Sequence, residues 1–309
     1  MAMSPPRAVG PCLVGVGHAS IDHVFEVDAL PDAPLKVPAR AYRMQVGGMT
    51  ANAAVAAARL GARVRIVAPI GDDGWEDDFR AHFEREGVDA QGLVVVSGAQ
   101  SSVAAVVVDA QGQRLIIGHR GDAVLQAPAL AGQALQGADV LLTDPRCPAW
   151  SRSALEQARA RGITSVLDAD VAPPEDLRAL VARADWAVFS EPGLHAFAGA
   201  GTSLEAGLAA ALVAGARQAV VTLGERGLLW LPGSGALQRM PAFEVAPVVD
   251  TTSAGDVFHA ALGYALGSGQ APVQALQFAA AAAALKCTRA GGALAAPTLQ
   301  QVQAALGRS

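Results

Sequence analysis

The chain has 309 residues, a net charge of −5 and 52% hydrophobic residues, so it can bury a large core and is too apolar to remain disordered. It contains no basic run, so we expect neither nucleic acid nor a membrane surface as a partner. The three cysteines, Cys12, Cys147 and Cys287, show neither a CxxC pair nor zinc-binding spacing, which predicts free thiols in a reducing compartment.

Short apolar and alternating segments occur in the first half of the chain. Residues 12–17 are an apolar run that ends in glycine, which is typical of a buried strand. Further strands with one solvent-facing side are predicted at residues 21–27, 42–46, 102–108 and 114–117. Strands of this kind predict a small sheet that stands off the main body, built from segments near 20–46 and 100–120.

Helices and strands alternate through most of the remaining sequence. Helices are predicted at residues 49–60, 75–85, 153–160, 204–214, 254–266 and 273–286. Strands are predicted at residues 63–69, 139–142, 163–167, 186–189 and 219–223. This alternation predicts an α/β fold over residues 1–309 as a single domain, with a mainly parallel sheet covered by helices on both faces.

The start of the chain and one long uncharged segment indicate where in the cell the protein is expected. The start shows no secretory signal, because a charged beginning, an apolar stretch and a small-residue cleavage site are not found in that order. Residues 257–285 lack Asp, Glu, Lys and Arg, but Gly267, Gly269 and Pro272 interrupt them. We therefore expect two buried helices joined by a turn, and a cytoplasmic protein.

Residues 249–263 (VDTTSAGDVFHAALG) are the most informative segment. Ser253, Ala254 and Gly255 keep a turn free of bulk, and the first amides of the following helix favour a negative charge. Asp256 at the same turn is placed to accept a proton from a hydroxyl while the amides hold a phosphoryl group. Spacing alone favours the simpler interpretation that Asp256 is an ordinary aspartate at a helix start.

A resemblance to a known family favours the catalytic interpretation of Asp256 over the simpler one. The sequence DTTSAGD at residues 250–256 resembles DTxGAGD, the C-terminal signature of the ribokinase-like (PfkB) sugar kinases. Further segments that are similar to the family, in the family's order, are residues 47–61, 70–79 and 221–227. Several spaced matches in order are more specific than one glycine motif. The resemblance implies a three-layer α/β/α core, a small β-sheet lid over the substrate, and a homodimer formed through the lid.

The resemblance also implies roles for individual residues. Asp256 would be the catalytic base, and the amides of Ala254, Gly255 and Asp256 would form an anion hole. The residues that would contact the sugar are Asp22, Gly47, Gly48 and Asn52. Those expected along the nucleotide are Thr222, Gly224, Gly227, Ser190 and Asp168. ATP and Mg²⁺ are the implied cofactors, with K⁺ as a further candidate.

The chain departs from the family pattern at two places. Ser253 stands where the signature has glycine, which a serine can replace if the turn does not require a positive φ. In the family's NxxE motif, Ser190 takes the place of Asn and Gly193 the place of Glu, which leaves Glu191 as a candidate metal ligand.

Three further aspartates are candidate site residues. Asp168 and Asp170 are predicted to end a strand at a βα loop, where ligands gather in open α/β sheets, although loop capping by aspartate is an equal alternative. Asp250, together with backbone carbonyls near Thr252, Arg289 and Gly291, corresponds to a monovalent-cation loop in some relatives.

Within the family the chain resembles bacterial sulfofructose kinases. The similar strings are residues 53–62, 189–194, 249–259 and 284–292. Those enzymes bind an anionic end of the sugar with basic side chains, and Lys36 and Arg146 fall at matching places. His119 or Gly118 falls where that group has an asparagine. The resemblance implies a ketose with an anionic end, whereas residue type alone makes Lys36 an ordinary surface lysine.

Two other functions compete with a sugar kinase. A nucleoside kinase of the same fold would need apolar or aromatic residues around a base, and the predicted lid supplies few aromatic rings. A catalytically silent sugar sensor is the second alternative, against which the intact Gly255 and Asp256 argue. The histidines show no metal-binding spacing, and His259, one helical turn after Asp256, is expected to be a packed helix residue near the site.

Overall fold

The computed structural model describes residues 10–33 and 36–307. Residues 1–9, on which the expectation of no secretory signal partly rests, lie outside the described residues, as do residues 34–35 of the predicted lid range. Within the described ranges, no helix combines the length and apolar character needed to cross a lipid bilayer.

In the part of the chain that the structure describes, thirteen strands form two sheets. The strands are β1 (Cys12–Val16), β2 (Ser20–Glu26), β3 (Ala41–Gly47), β4 (Arg63–Gly71), β5 (Val88–Val96), β6 (Ser102–Val108), β7 (Arg114–His119), β8 (Val140–Thr143), β9 (Thr164–Ala169), β10 (Trp186–Ser190), β11 (Gln218–Thr222), β12 (Leu228–Pro232) and β13 (Gln238–Met240). The large sheet has nine strands in the order β13-β12-β11-β10-β9-β8-β1-β4-β5. Its seven strands from β11 to β5 are parallel, and β12 and β13 add antiparallel pairs at one edge. The predicted α/β fold with a mainly parallel sheet is confirmed.

Helices cover both faces of this sheet. They are α1 (Met49–Arg59), α2 (Glu76–Arg85), α3 (Asp122–Gln126), α4 (Pro148–Arg161), α5 (Pro174–Val181), α6 (Glu191–Ala198), α7 (Leu204–Ala214), α8 (Ala254–Gly267), α9 (Pro272–Cys287) and α10 (Leu299–Leu306). One core cluster lies against α1, α2, α8, α9 and α10, and the other lies against α4 to α7. Adjacent residues of β1 face opposite clusters, with Leu13 in the first and Val14 in the second, as the two-residue period of a strand requires.

The small sheet has four strands in the order β3-β2-β6-β7. Strands β2 and β6 are parallel, and the two outer pairs are antiparallel, so the sheet is mixed. The register pairs Val106 with Ile116 and Ala104 with Gly118, which places these residues on one face. We call this sheet the lid.

The sequence analysis did not predict several elements. Strand β5 was missed because Gly92 interrupts its apolar run, and because it lies at the sheet edge with one partner strand, β4. Strands β12 and β13 and the short helices α3, α5, α6 and α10 were also missed. These elements span few residues, so their periodicity is too brief to distinguish them from loops.

Candidate active site

The carboxyl ends of the central parallel strands meet at one edge of the large sheet. The register places Val16 beside Thr143 and Ser190 beside Thr222 at these ends. In open α/β sheets ligands bind beyond the carboxyl ends of the strands, where helix starts and loops converge. Some of the candidate site residues lie at this edge, in the strand ends or in the helices and loops that follow them, and others lie in the lid.

Asp144, which the sequence analysis missed, connects three segments at this edge. Its carboxylate accepts hydrogen bonds from the backbone amides of His18 (2.8 Å) and Arg146 (2.8 Å), and from both the amide and the hydroxyl of Thr50. Asp144 is buried. An aspartate directly after a buried strand is the signal that could have identified it, because buried carboxylates require several donors.

Asp256 lies in the first turn of α8, and the side-chain amide of Asn52 on α1 donates a hydrogen bond of 2.8 Å to its Oδ2. Burial raises the pKa of Asp256 to about 7, and the nearby charge of Asp168 acts in the same direction. The hydrogen bond from Asn52 opposes this shift, because it favours the ionised form. A carboxylate with a pKa near neutrality suits a general base.

His259 and Asp168 form a buried pair next to this aspartate. Nδ1 of His259 lies 3.4 Å from Oδ2 of Asp168 and 2.6 Å from the carbonyl of Gly255. Burial lowers the pKa of His259 and raises the pKa of Asp168 well above its usual range. Asp168 is the last residue but one of β9, and Asp170 follows the strand, so both lie at the predicted end of a strand. Its predicted contact with a nucleotide stays a prediction.

A cavity of about 490 Å³ lies between the lid and the large sheet. It is lined by residues of both: His18, Ser20, Asp22, Gly48, Met49, Asn52, Val103, Ala104, Val106, Ile116, Gly118, His119, Arg120 and Arg146. The volume is in the range of small-molecule sites. Four of the predicted substrate contacts, Asp22, Gly48, Asn52 and Arg146, lie on this wall, as does His119.

The start of α1 shows why glycines occupy this wall. Gly48 has φ of 102°, and a Cβ there would lie 2.7 Å from the carbonyl oxygen of His18. A Cβ at Gly47 would lie 1.9 Å from Oδ2 of Asp22. Burial raises the pKa of Asp22, while a 2.8 Å hydrogen bond from the hydroxyl of Ser20 lowers it. The glycine pair therefore lets Asp22 approach the backbone at the cavity wall.

Ser253 immediately precedes α8 and has φ of 60°, the left-handed conformation. The condition under which a serine could replace the signature glycine without strain, a turn with no positive φ, is therefore not met. The amide of Ala254 donates to the carbonyl of Thr251 (3.2 Å), so its predicted place in an anion hole requires exchange of this partner. A Cβ at Gly255 would meet no atom within 4 Å, which leaves open space beside the first turn of α8, and the predicted anion hole there stays a prediction.

The predicted nucleotide residues lie along the ends of β10 and β11. The hydroxyl of Thr222 donates to the carbonyl of Phe189 (3.2 Å). Gly224 has φ of 59°, and a Cβ there would meet no atom within 4 Å, whereas a Cβ at Gly227 would lie 2.1 Å from the carbonyl oxygen of Met240. The hydroxyl of Ser190 accepts from the amide of Gly193 and donates to Asp170 (2.7 Å), so Ser190 caps α6. Their contacts with a nucleotide stay predictions.

The two residues predicted to bind metal have protein partners. Glu191 forms an ion pair with Arg226, and Asp250 forms one of 3.0 Å with the buried Lys286. Within residues 10–33 and 36–307, no group of three or more His, Cys, Asp or Glu side chains is arranged to hold a metal ion. Asp250 therefore does not fit the predicted role of a monovalent-cation ligand, because an ammonium group already lies against it.

We call Lys36 and Arg146, the two residues predicted to bind the anionic end of the sugar, the anion clamp. Only one of them lies on the cavity wall. Arg146 lines the cavity, and its guanidinium also donates to the carbonyl of Val171 (3.0 Å) and to Asp170 (3.3 Å). Lys36 is exposed in the loop between β2 and β3 and is not among the cavity-lining residues. Arg120, which follows β7, lines the cavity instead. The sequence analysis missed it because no motif surrounds it.

The chain is similar to known proteins both in sequence and in fold. A sequence model of pfkB family carbohydrate kinases matches residues 12–299. The ribokinase of Bacillus subtilis (strain 168) is 30% identical over 292 residues, which cover 93% of this chain and 97% of that protein. The structure of Arabidopsis thaliana ribokinase complexed with ribose and ATP has a TM-score of 0.84 and 25% identity, and the match covers 97% of this chain and 100% of that one. Ribokinase from Thermotoga maritima has a TM-score of 0.82 and 29% identity, with coverage of 96% and 99%.

Proposed function

Because the chain belongs to the pfkB family of carbohydrate kinases, it is a sugar kinase that uses ATP, and we propose that its substrate is a ketose with an anionic end. The reaction transfers the γ-phosphoryl group of ATP to a sugar hydroxyl and releases ADP. The observation that carries the proposed mechanism is the position of Asp256, half-buried at the start of α8 and held by Asn52.

The proposed chemistry uses this chain's own residues. The carboxylate of Asp256 takes the proton of the sugar hydroxyl as the hydroxyl oxygen attacks the γ-phosphorus and the bond to ADP breaks. The amides at the start of α8, with the open space at Gly255, stabilise the charge on the transferring phosphoryl group. A magnesium ion bound to the ATP phosphates would supply further charge neutralisation.

Two arginines support an anionic end on the sugar. Arg120 and Arg146 line the cavity, and Arg146 keeps its guanidinium in place through Asp170 and the carbonyl of Val171. The planar guanidinium group is suited to bind a sulfonate, phosphate or carboxylate oxygen pair. Lys36 is exposed and is not among the residues that line the cavity, so the two arginines carry this proposal.

We also propose that two chains pair through the outer face of the lid. The register places Tyr42, Met44, Leu115 and Ile117 on the face opposite the cavity. Tyr42 is 57% and Ile117 is 64% exposed. An apolar face of this kind on a soluble chain is typical of a protein–protein contact. A second copy of the same sheet would cover it symmetrically.

The test is ADP release with Mg-ATP across fructose, ribose, fructose 6-phosphate, 6-sulfofructose and adenosine. We expect turnover with the anion-bearing ketoses. Replacing Arg146 or Arg120 by Met should then raise KM about 10- to 100-fold, as for loss of a hydrogen bond to a charged group, with a smaller effect on kcat. The matched control is Arg63→Met, an exposed arginine at the amino end of β4, at the opposite edge of the sheet.

Each other outcome has a distinct meaning. Turnover restricted to neutral sugars would contradict the proposed role of the arginines in binding an anionic group. The chain would then be a sugar kinase with a different substrate. Turnover of adenosine alone would identify a nucleoside kinase. If every sugar binds without ADP release, the chain is a sensor.

A further inference from the structure

Lys286 is a fully buried cation beside the loop that leads to the catalytic helix. Its side chain is 0% exposed, on the last turn of α9. Its Nζ donates to the backbone carbonyl of Asp250 at 2.6 Å and lies 3.0 Å from the Asp250 carboxylate. A lysine ammonium is almost never fully buried unless it is paired, so this contact is a built feature of the fold.

Asp250 connects that ammonium to two loops. Its carboxylate accepts from the amide of Thr252 (2.8 Å) and from the amides of Gly291 (3.2 Å) and Gly292 (3.3 Å). The amide of Asp250 donates to the carbonyl of Cys287 (3.1 Å). One ion pair therefore holds residues 250–252 against the end of α9, and Ser253 and the first turn of α8 follow directly.

The groups around Lys286 are those that would otherwise coordinate a monovalent cation. A backbone carbonyl and a carboxylate oxygen both point at its Nζ. Although burial alone would raise the pKa of Asp250, hydrogen bonds from Thr252 and Lys286 hold it well below its usual range, so the carboxylate is ionised. The site thus holds one negative and one positive charge, and a second cation beside a buried ammonium would be repelled.

The residue type agrees with this interpretation. Lys36 and Lys286 are the two lysines of the chain, and every other basic side chain apart from histidine is an arginine. Lysine carries a compact point charge with rotatable donors, in contrast to the planar fork of arginine. A compact ammonium is the side-chain group closest in size and charge to a potassium ion.

We propose that the ammonium of Lys286 takes the place of a bound monovalent cation and positions the loop before the base helix, so that the enzyme works without potassium. This inference rests on the proposed kinase function. Lys286 is a positioning residue, because it acts through Asp250 and the loop and touches neither sugar nor ATP. The unaltered enzyme therefore needs no monovalent cation for activity. A variant that lacks the ammonium of Lys286 should need one.

The first experiment uses the unaltered protein with the sugar that turns over best. ADP release is measured in potassium-free buffer with NaCl or tetramethylammonium chloride, and again with KCl. We expect kcat to change less than twofold. An increase of about tenfold or more with KCl would overturn the proposal and leave the kinase function intact. Absence of turnover under all conditions with every sugar would instead defeat the kinase function.

The second experiment uses Lys286→Ala, with Arg178→Ala as the control for loss of a positive charge on an exposed helix surface. We expect kcat to fall by up to about 10²-fold, as for a misplaced reacting group, and to recover several-fold with KCl or NH₄Cl but not with tetramethylammonium chloride. A folded variant that loses activity and is rescued by no cation would contradict the proposal.

A stability measurement tests the proposal even if the Lys286→Ala variant has no measurable activity. A cation that binds the folded state raises the melting temperature. KCl and NH₄Cl should raise the Tm of Lys286→Ala above its value in tetramethylammonium chloride of equal concentration, and leave the Tm of the unaltered protein unchanged. Equal responses of the two proteins would contradict the proposal without any assay of activity.

Discussion

The side-chain amide of Asn52 donates to the carboxylate of Asp256 across 2.8 Å, although the two residues are 204 positions apart in the sequence. The bond joins α1 to α8, which pack in the same layer on the large sheet. It engages Oδ2 of the carboxylate and favours its charged form. One contact between distant parts of the chain therefore orients the base and opposes the rise in its pKa that burial causes.

Replacing Asp256 by Asn should abolish most turnover and retain sugar binding. The amide of Asn cannot accept the hydroxyl proton, so we expect kcat to fall about 10²- to 10⁴-fold. Steady-state ADP release measures kcat, and calorimetric titration with sugar measures binding. A variant that turns over within tenfold of the unaltered protein would show that Asp256 is not the base.

The same substitution should affect stability in a pH-dependent way. The pKa of Asp256 rises from 3.8 to about 7 on folding, so its contribution to stability is fully present below pH 3.8 and is lost as pH rises through about 7. Asp256→Asn lacks this titration. The Tm of the variant relative to the unaltered protein should therefore increase from pH 5 to pH 8, and a constant difference would contradict this.

The rate of the unaltered enzyme should increase with pH. Below pH 7 the carboxyl of Asp256 is protonated and cannot act as a base, so kcat/KM should rise with a midpoint near pH 7 and reach a plateau above it. Initial rates at limiting sugar between pH 5 and pH 9 measure this profile. A flat profile over that range would exclude a base of this pKa.

Replacing Asn52 by Ala should move that midpoint upward. Loss of the hydrogen bond to the ionised carboxylate is expected to raise the pKa of Asp256 by about one unit, which corresponds to ~1.4 kcal/mol. Loss of a sugar contact would raise KM but leave the midpoint where it was. The pH profile of kcat/KM therefore separates the two roles of Asn52.

Replacing Ser253 by Gly should stabilise the protein. Ser253 has φ of 60°, which favours glycine, and a residue with a Cβ loses about 1–2 kcal/mol in this conformation. Ser253→Ala is the matched control, because it removes the hydroxyl and keeps the Cβ. Urea unfolding should show Ser253→Gly to be more stable than Ser253→Ala by about 1 kcal/mol, and the reverse order would contradict strain at this turn.

Replacing Ile117 by Lys should separate the proposed dimer. Ile117 is 64% exposed on the outer face of the lid, and two lysines facing each other across a symmetric contact would repel. Val213→Lys is the control, because Val213 is 90% exposed on α7, outside the lid. Light scattering after size exclusion gives the mass, and an Ile117→Lys variant that remains dimeric would place the contact elsewhere.

The sequence allowed prediction of those parts of the fold in which the pattern is repeated. Parallel strands such as β9 and β10 are continuous apolar runs, and helices such as α7 are rich in alanine and leucine and end at a glycine, so their positions were predicted closely. Strand β5 lies at the sheet edge and contains Gly92, and its pairing with β4 depends on tertiary structure. Such an element leaves little local signal.

The candidate site could be predicted only where a motif carries the chemistry. Asp256 lies in a signature string, but Asp144 and Arg120 owe their positions to segments that are distant in sequence. The predicted potassium ligand Asp250 is paired with Lys286 because α9 returns to the loop before α8, a relationship that no local spacing reveals. The positive φ of Ser253 is likewise set by the fold, since serine itself disfavours it.

The position of β1 has a consequence for synthesis of the protein. This first strand lies in the middle of the large sheet, between β4 and β8, so one of its edges stays unpaired until residues 140–143 have been made. The interval between Asn52 and Asp256 takes roughly 10–40 s at the usual rate of translation. A nascent chain therefore presents lid strands and an apolar layer without α8 and α9 to cover it. A product that ends before α9 lacks the helix that packs against α8, so the helix that carries Asp256 stays uncovered on that side.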